Sequence, residues 1–280
     1  MKRSIGDRTV PNGALASGVW SMRDAYESRL DDIWPLPLRL NGLVLHLDAS
    51  NDSSYPNTST TWYDLSSTIG NVNINNRNSD WSFTTDPSTG LECLYANTDR
   101  PDTAGINIPT NNGFNKAAGT IETWIKPVSY SGATGIFTNS DGESYTNATN
   151  WLWIGQYAGG ANMYFRQGNS TSCCNQDTTI TSITTVHPLN TWKCWAFTWD
   201  VSAGTTEIYV NGSRIAYREN LPTDIPNSNP TTTGQLFNSH NRTDNQQFRG
   251  YCNIYRIYNR ALSSNEVLSN FTVCRDRFGV

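Results

Sequence analysis

An all-β sandwich is the fold this sequence predicts, and three observations predict it. Short stretches rich in Val, Ile, Thr, Tyr, Phe and Trp recur between breaks rich in Gly, Pro and Asn, with no βαβ rhythm. One break, Asn211-Gly212 inside Glu207–Tyr217, supplies the positive φ angles of a tight hairpin turn between two alternating strands. The chain holds 9 Phe, 10 Trp and 13 Tyr yet is only 16% charged, a balance that favours a packed core over a solvated coil. Helical patterns are confined to the two ends.

The elements follow in order. Residues 1–20 have no period and carry Gly6, Pro11, Gly13 and Gly18, so they read as an arm without regular structure of its own, either disordered or, the preferred reading, laid along a partner. Ser21 and Asp24 suit an N-cap with an acidic first turn. Met22, Ala25, Tyr26, Leu30 and Ile33 fall on one helical stripe that Trp34-Pro35 stops. This amphipathic helix either caps the sandwich or docks on another subunit. Residues 1–41 are therefore set apart from a sandwich over 42–280.

The sheet begins at Leu43–Asp48, with Leu43, Leu45 and Leu47 on one face and Val44, His46 and Asp48 on the other. Short strands are expected at Trp62–Leu65, Val72–Ile74, Trp81–Thr84, Leu91–Tyr95 and Gly105–Ile108. Stronger ones follow at Thr120–Ile125, Gly135–Thr138, Trp151–Gly155 and Asn162–Gln167. Residues 168–184 carry no clear pattern. Trp192–Asp200 is aromatic throughout and should be central and buried, and residues 219–234 read as a Pro-rich loop. Gly250 breaks the chain before the dense run Tyr251–Tyr258. Ser263-x-x-Glu266 then has the spacing of a capping box, with Val267 and Phe271 one turn apart on a short C-terminal helix.

The order of five pieces carries a resemblance: Gly42–Ser50, Gly119–Pro127, Asn190–Asp200, Tyr209–Gly212 and Phe248–Phe271. Together they resemble the laminin-G-like, concanavalin A-like jelly roll over roughly residues 42–272. The family's closing motif usually reads Gly-x-Ile-Asp-Glu; here Cys252, Asn253 and Ile254 fill its last three places, so two carboxylates are lost. The preface Ser17–Tyr26 with Trp34-Pro35 resembles a segment of tailed-phage structural proteins, especially marine ones. That resemblance implies a multi-copy or homo-oligomeric virion protein, a capsid decoration or tail component assembled in the host cytoplasm. It would be attached to other virion proteins through Trp20, Met22, Tyr26, Leu30 and Trp34.

The chemistry narrows the function. A net charge of −4 gives no electrostatic footprint for nucleic acid, Met1–Asn12 has no apolar signal region, and no run approaches a membrane span. The six cysteines lack zinc spacing and read mostly as buried thiols; the vicinal Cys173-Cys174 stands apart. Retaining glycosidases need two carboxylates held close together, and Glu122 is alone in its strand, so no catalytic residue is assigned. Calcium is a candidate cofactor only through Asp48, Asp64, Asp141 and Glu143, whose loops also suit plain turn chemistry. For a host-surface glycan the candidate platform is Trp151, Trp153, Tyr157 and Tyr164. The sequence thus reads as a non-enzymatic virion structural protein that exposes a lectin-like sandwich. The alternative is a receptor-recognition module, and a glycoside hydrolase comes last.

Overall fold

The computed structural model describes residues 38–56, 60–74, 81–96, 106–110, 113–130, 134–140, 151–156, 162–168, 178–220, 233–237 and 248–280. The arm and the N-terminal helix of residues 1–35 lie outside them, as do Tyr157, Asp141, Glu143, Cys173 and Cys174.

Sixteen strands are seen among the described residues, nearly all antiparallel partners in two stacked sheets. The larger sheet holds β1 (Leu43–Asp48), β4 (Trp81–Thr85), β5 (Glu92–Ala96), β7 (Ala118–Pro127), β12 (Lys193–Asp200), β13 (Thr205–Val210), β14 (Ser213–Arg218) and β16 (Gly250–Tyr258). Its order is β14-β13-β12-β7-β16-β5-β4. The smaller sheet contains β6 (Ile106–Pro109), β8 (Thr134–Ser140), β9 (Trp151–Gln156), β10 (Asn162–Gly168), β11 (Thr178–Thr181) and β15 (Thr233–Leu236), in the order β11-β10-β9-β8-β15-β6. β2 (Thr61–Trp62) and β3 (Val72–Asn73) form a separate ribbon.

The strand read as closing the core is the hub of the larger sheet. One side of β16 pairs with β7 along nearly its whole length. The other side is shared: Ile254–Tyr258 pair with β1, and Gly250–Cys252 pair with β5. β7 and β12 are buried on both faces. Their Ile121, Ile125, Trp195, Phe197 and Trp199 point into a core shared with Leu152, Ile154 and Phe165 of the smaller sheet. Phe165 meets Trp199 at 5.8 Å between ring centroids, across the two sheets.

The hairpin forms as expected, with Asn211 at φ 49° and Gly212 at φ 76° between β13 and β14. The capping box also forms: Ser263 Oγ accepts the Glu266 N–H at 3.4 Å, and Glu266 returns the bond to the Ser263 N–H at 2.9 Å. Three expectations are corrected. A register shift between Leu43 and Leu45 takes Leu43 off the face of Leu45 and Leu47, so Val44 joins the inter-sheet core and Leu43 packs on the other side. Helices are not confined to the ends, because a single turn α1 (Ile183–Val186) follows β11. The loop read over 219–234 ends in a strand, β15.

The second helix, α2 (Ser264–Cys274), and a 3-10 turn, Arg275–Phe278, lie on the face of the larger sheet that points away from the core. They cover only part of it.

Candidate functional site

Outward-pointing positions on neighbouring strands form a row across the larger sheet, because directly paired residues share a face. Ser82 of β4 pairs with Tyr95 of β5, Tyr95 with Tyr251 of β16, and Tyr251 with Lys126 of β7. The Tyr95 and Tyr251 rings lie 4.5 Å apart between centroids at 34°, and both side chains are half-buried. Together they form one partly open aromatic surface. Gly250 lets β16 lie close against β7 beside them: its φ is +144°, and a Cβ there would fall 2.2 Å from the Lys126 carbonyl oxygen.

A polar cluster flanks the pair on the Tyr251 side. Lys126 Nζ lies 5.2 Å from the Tyr251 ring centroid and donates to Asp86 Oδ1 at 2.6 Å and Ser88 Oγ at 2.8 Å. Trp192 Nε1, Ser88 Oγ and Thr89 Oγ1 each donate to Asp86 Oδ2 at 2.8 Å. Burial works to raise the Asp86 carboxyl. The bonds from Lys126, Trp192, Thr89 and Ser88 outweigh it and hold the acid well below the usual carboxylate range. Burial also pushes the Tyr251 phenol up, so both its hydroxyl and its ring are neutral at physiological pH.

The candidate platform on the smaller sheet is arranged differently. Trp153 of β9 pairs with Arg166 of β10, whose guanidinium lies 5.6 Å from the Trp153 ring and 4.5 Å from the Tyr164 ring. Trp153 and Tyr164 stack at 6.4 Å. Trp153 is 0% exposed, so its faces are covered, while Tyr164 is half-buried. The structure brings Trp153 and Tyr164 together. The Trp151 side chain, like Tyr157, is outside the described residues.

The carboxylates of the outward face are committed to other groups. Glu122 is fully buried; it takes Arg256 Nη1 at 2.5 Å and Asn270 Nδ2 at 2.9 Å. Asp48 accepts Arg277 Nη1 on both oxygens, at 2.8 and 2.9 Å, and the same nitrogen reaches Asn253 Oδ1 at 3.1 Å. A guanidinium therefore stands where a cation bound by Asp48 would stand. Asp64 receives the N–H groups of His46, Ser66, Thr68 and Gly70, which fixes its loop. Among the described residues no group of three His, Cys, Asp or Glu could hold a metal ion.

The two described histidines are held neutral by different surroundings. His187 accepts the Trp195 Nε1–H on Nδ1 at 2.8 Å, and its Nε2 lies 2.8 Å from the Thr191 carbonyl. Burial takes its pKa down to about 4. His46 is lowered to about 3, by burial first and then by the positive charges of Arg256 and Arg277. Cys93, Cys194, Cys252 and Cys274 are buried free thiols.

A family model described as the concanavalin A-like lectin/glucanases superfamily matches residues 98–268. The chain belongs to this superfamily. Its jelly-roll sandwich, with the helix α2 after the last strand, has the form that membership implies. No curated protein matches the chain.

Solved structures share the fold at low identity. Domain 4 of AbnA, an extracellular GH43 arabinanase from Geobacillus stearothermophilus solved with arabinotriose, aligns at TM-score 0.56 and 17% identity, covering 81% of this chain and 97% of that one. The botulinum neurotoxin type G receptor binding domain aligns at 0.56 and 16% identity, covering 83% of this chain and 51% of that one. The serotype D ligand binding domain, solved with N-acetylneuraminic acid, aligns at 0.56 and 12%, with the same coverages of 83% and 51%. The chain thus spans about half the length of these toxin domains. At such identities the likeness is one of fold.

Sequence reasoning missed Tyr95 and Tyr251 as a site. They come from opposite ends of the sandwich sequence, and only the pairing of β5 with β16 joins them. The dense Tyr run at 251–258 was visible, but its first residue looked like the rest.

Proposed function

We propose that this chain is a non-catalytic glycan-binding module, and that Tyr95 and Tyr251 form its binding platform. One observation carries the reading: two half-buried aromatic rings in contact on an outward sheet face, one of them flanked by a lysine that is itself fixed by a buried carboxylate. The C–H face of a sugar ring is apolar and fits such a surface, while its hydroxyls need donors and acceptors at the rim. The phenol groups and the exposed Ser82 on β4 supply them. The carbohydrate complexes of AbnA domain 4 and of the serotype D toxin domain support the reading, since their sandwiches share this architecture.

Catalysis is disfavoured by the same geometry. Glu122, a strand carboxylate on this face, is fully buried and already paired with Arg256. It can neither reach a glycosidic bond nor hold a second carboxylate at the required spacing. The direct test is isothermal titration against glycans that bind the intact chain. Tyr251→Ala should weaken binding by about 2 kcal/mol or more, roughly thirtyfold, with unchanged circular dichroism. Binding that survives both Tyr95→Ala and Tyr251→Ala would reject this platform.

A particle-borne setting is the second part of the proposal. It rests on the resemblance of Ser17–Tyr26 and Trp34-Pro35 to a segment of tailed-phage structural proteins. In that setting the module sits in many copies on a virion, anchored by Trp20, Met22, Tyr26, Leu30 and Trp34. A chain lacking residues 1–41 that still enters assembled particles would remove this anchor.

A further inference from the structure

Resting on the glycan reading of Tyr95 and Tyr251, we infer that this site takes the terminal, uncharged sugar of a glycan chain rather than an internal stretch or an acidic sugar. The shape of the face argues for a chain end. On one side the platform runs out over Ser82 and Thr84, which are exposed on β4, the last strand of the sheet. On the other side the face is built up. Phe278 stacks on Trp124 at 4.0 Å and 9°, and meets Trp192 at 5.0 Å. Tyr251 packs against that same cluster. The aromatic strip thus continues from Tyr251 toward Trp192 and Trp124, but Phe278 covers its second half with a ring stacked directly above the sheet. A sugar on the two tyrosines can extend away over β4 and meets a wall in the opposite direction.

The electrostatics argue against an acidic sugar. Lys126 is a cation in contact with the Tyr251 ring, yet it is 5% exposed and its ammonium is neutralised by Asp86 at 2.6 Å. Asp86 is already saturated by five donors: Lys126, Trp192, Thr89, and the hydroxyl and N–H of Ser88. Arg249, two residues before Tyr251, holds an interaction of its own. A carboxylate stacked on the tyrosines would lose water next to a buried anion, and among the described residues the ammonium that touches the platform is already paired. Neutral hydroxyls meet no such cost.

The experiment is a glycan array probed with the full chain and with Tyr251→Ala. It compares short and long chains that share one terminal sugar, and the same chains capped with N-acetylneuraminic acid. Short and long members are expected to bind within about twofold of one another, because contacts stop at the wall. The acidic cap should lower binding by about tenfold or more, and Tyr251→Ala should lower it about thirtyfold or more. Affinity that climbs steadily with chain length, or tighter binding of the capped chains, overturns this inference and leaves the glycan reading standing. An array blank for the intact chain, or signals that Tyr251→Ala does not change, overturns the glycan reading at this platform and the inference with it.

Discussion

Replacing Glu122 by Ala should be one of the most damaging single changes to this fold. Glu122 is 0% exposed and Arg256 is 2% exposed, and their side chains meet at 2.5 Å. Without the carboxylate, Arg256 keeps a weak bond to the Cys274 sulfur at 3.4 Å, while its Nε already has no hydrogen-bond partner. Stranding a buried charge in this way costs about 3–5 kcal/mol. In a domain of this size 1 kcal/mol moves Tm by about 2–4 °C, so the drop should be roughly 6–20 °C. Arg256→Met alone should cost a similar amount, because Glu122 would retain only the amide of Asn270 at 2.9 Å. The double change Glu122→Met with Arg256→Met removes both charges and fills the space with apolar volume, so it should recover most of the loss. Thermal melts followed by circular dichroism complete the double-mutant cycle. Single losses below about 1 kcal/mol, or a double variant that loses the sum of the two, would refute the view that this pair is a closed, desolvated unit.

The remaining predictions concern the helix cap and acid stability. Ser263→Ala removes the hydroxyl that accepts the Glu266 N–H, and should cost about 1 kcal/mol in urea unfolding. His187 is depressed to about 4 in the fold, against an ordinary value near 6.5, so below pH 6.5 the unfolded chain takes a proton that the folded chain refuses. Stability from this group is therefore full above pH 6.5 and falls by up to about 3 kcal/mol as pH drops toward 4. His46 acts in the same direction, so the slope of stability between those pH values should decrease but not vanish in His187→Gln.

What could be read in advance was local, and what could not depended on register. Asn211-Gly212 and Ser263-x-x-Glu266 announce a turn and a cap because the residues that make each one lie within four positions. The alternation of Leu43–Asp48 was readable, but a bulge is not encoded by period, and so Leu43 was assigned to the wrong face. β15 was hidden because Thr233–Leu236 is short, contains Gly234 and follows a run of prolines. The site itself is a product of long-range pairing. Tyr95 faces Tyr251 because Gly250–Cys252 of β16 pair with Leu94–Ala96 of β5, while the rest of β16 pairs elsewhere. No window of sequence holds that information. Trp153 shows the opposite failure: strand alternation places it on an outward face, but the side chain is fully buried.

The outward face of the larger sheet explains why recognition is the better reading of the function than catalysis. Among the described residues, three buried acids on that side are each held by a partner from a distant segment: Glu122 by Arg256, Asp86 by Lys126, and Asp48 by Arg277. Each pair crosses between segments that are far apart in sequence, so the charges tie strands and the Arg275–Phe278 turn to the sheet. An acid used in this way cannot move during a reaction without loosening the fold. Once the charges are spent, the partly open chemistry left on this part of the face is two phenol rings and hydroxyl groups. Such groups can hold a sugar by its apolar face and its hydroxyls.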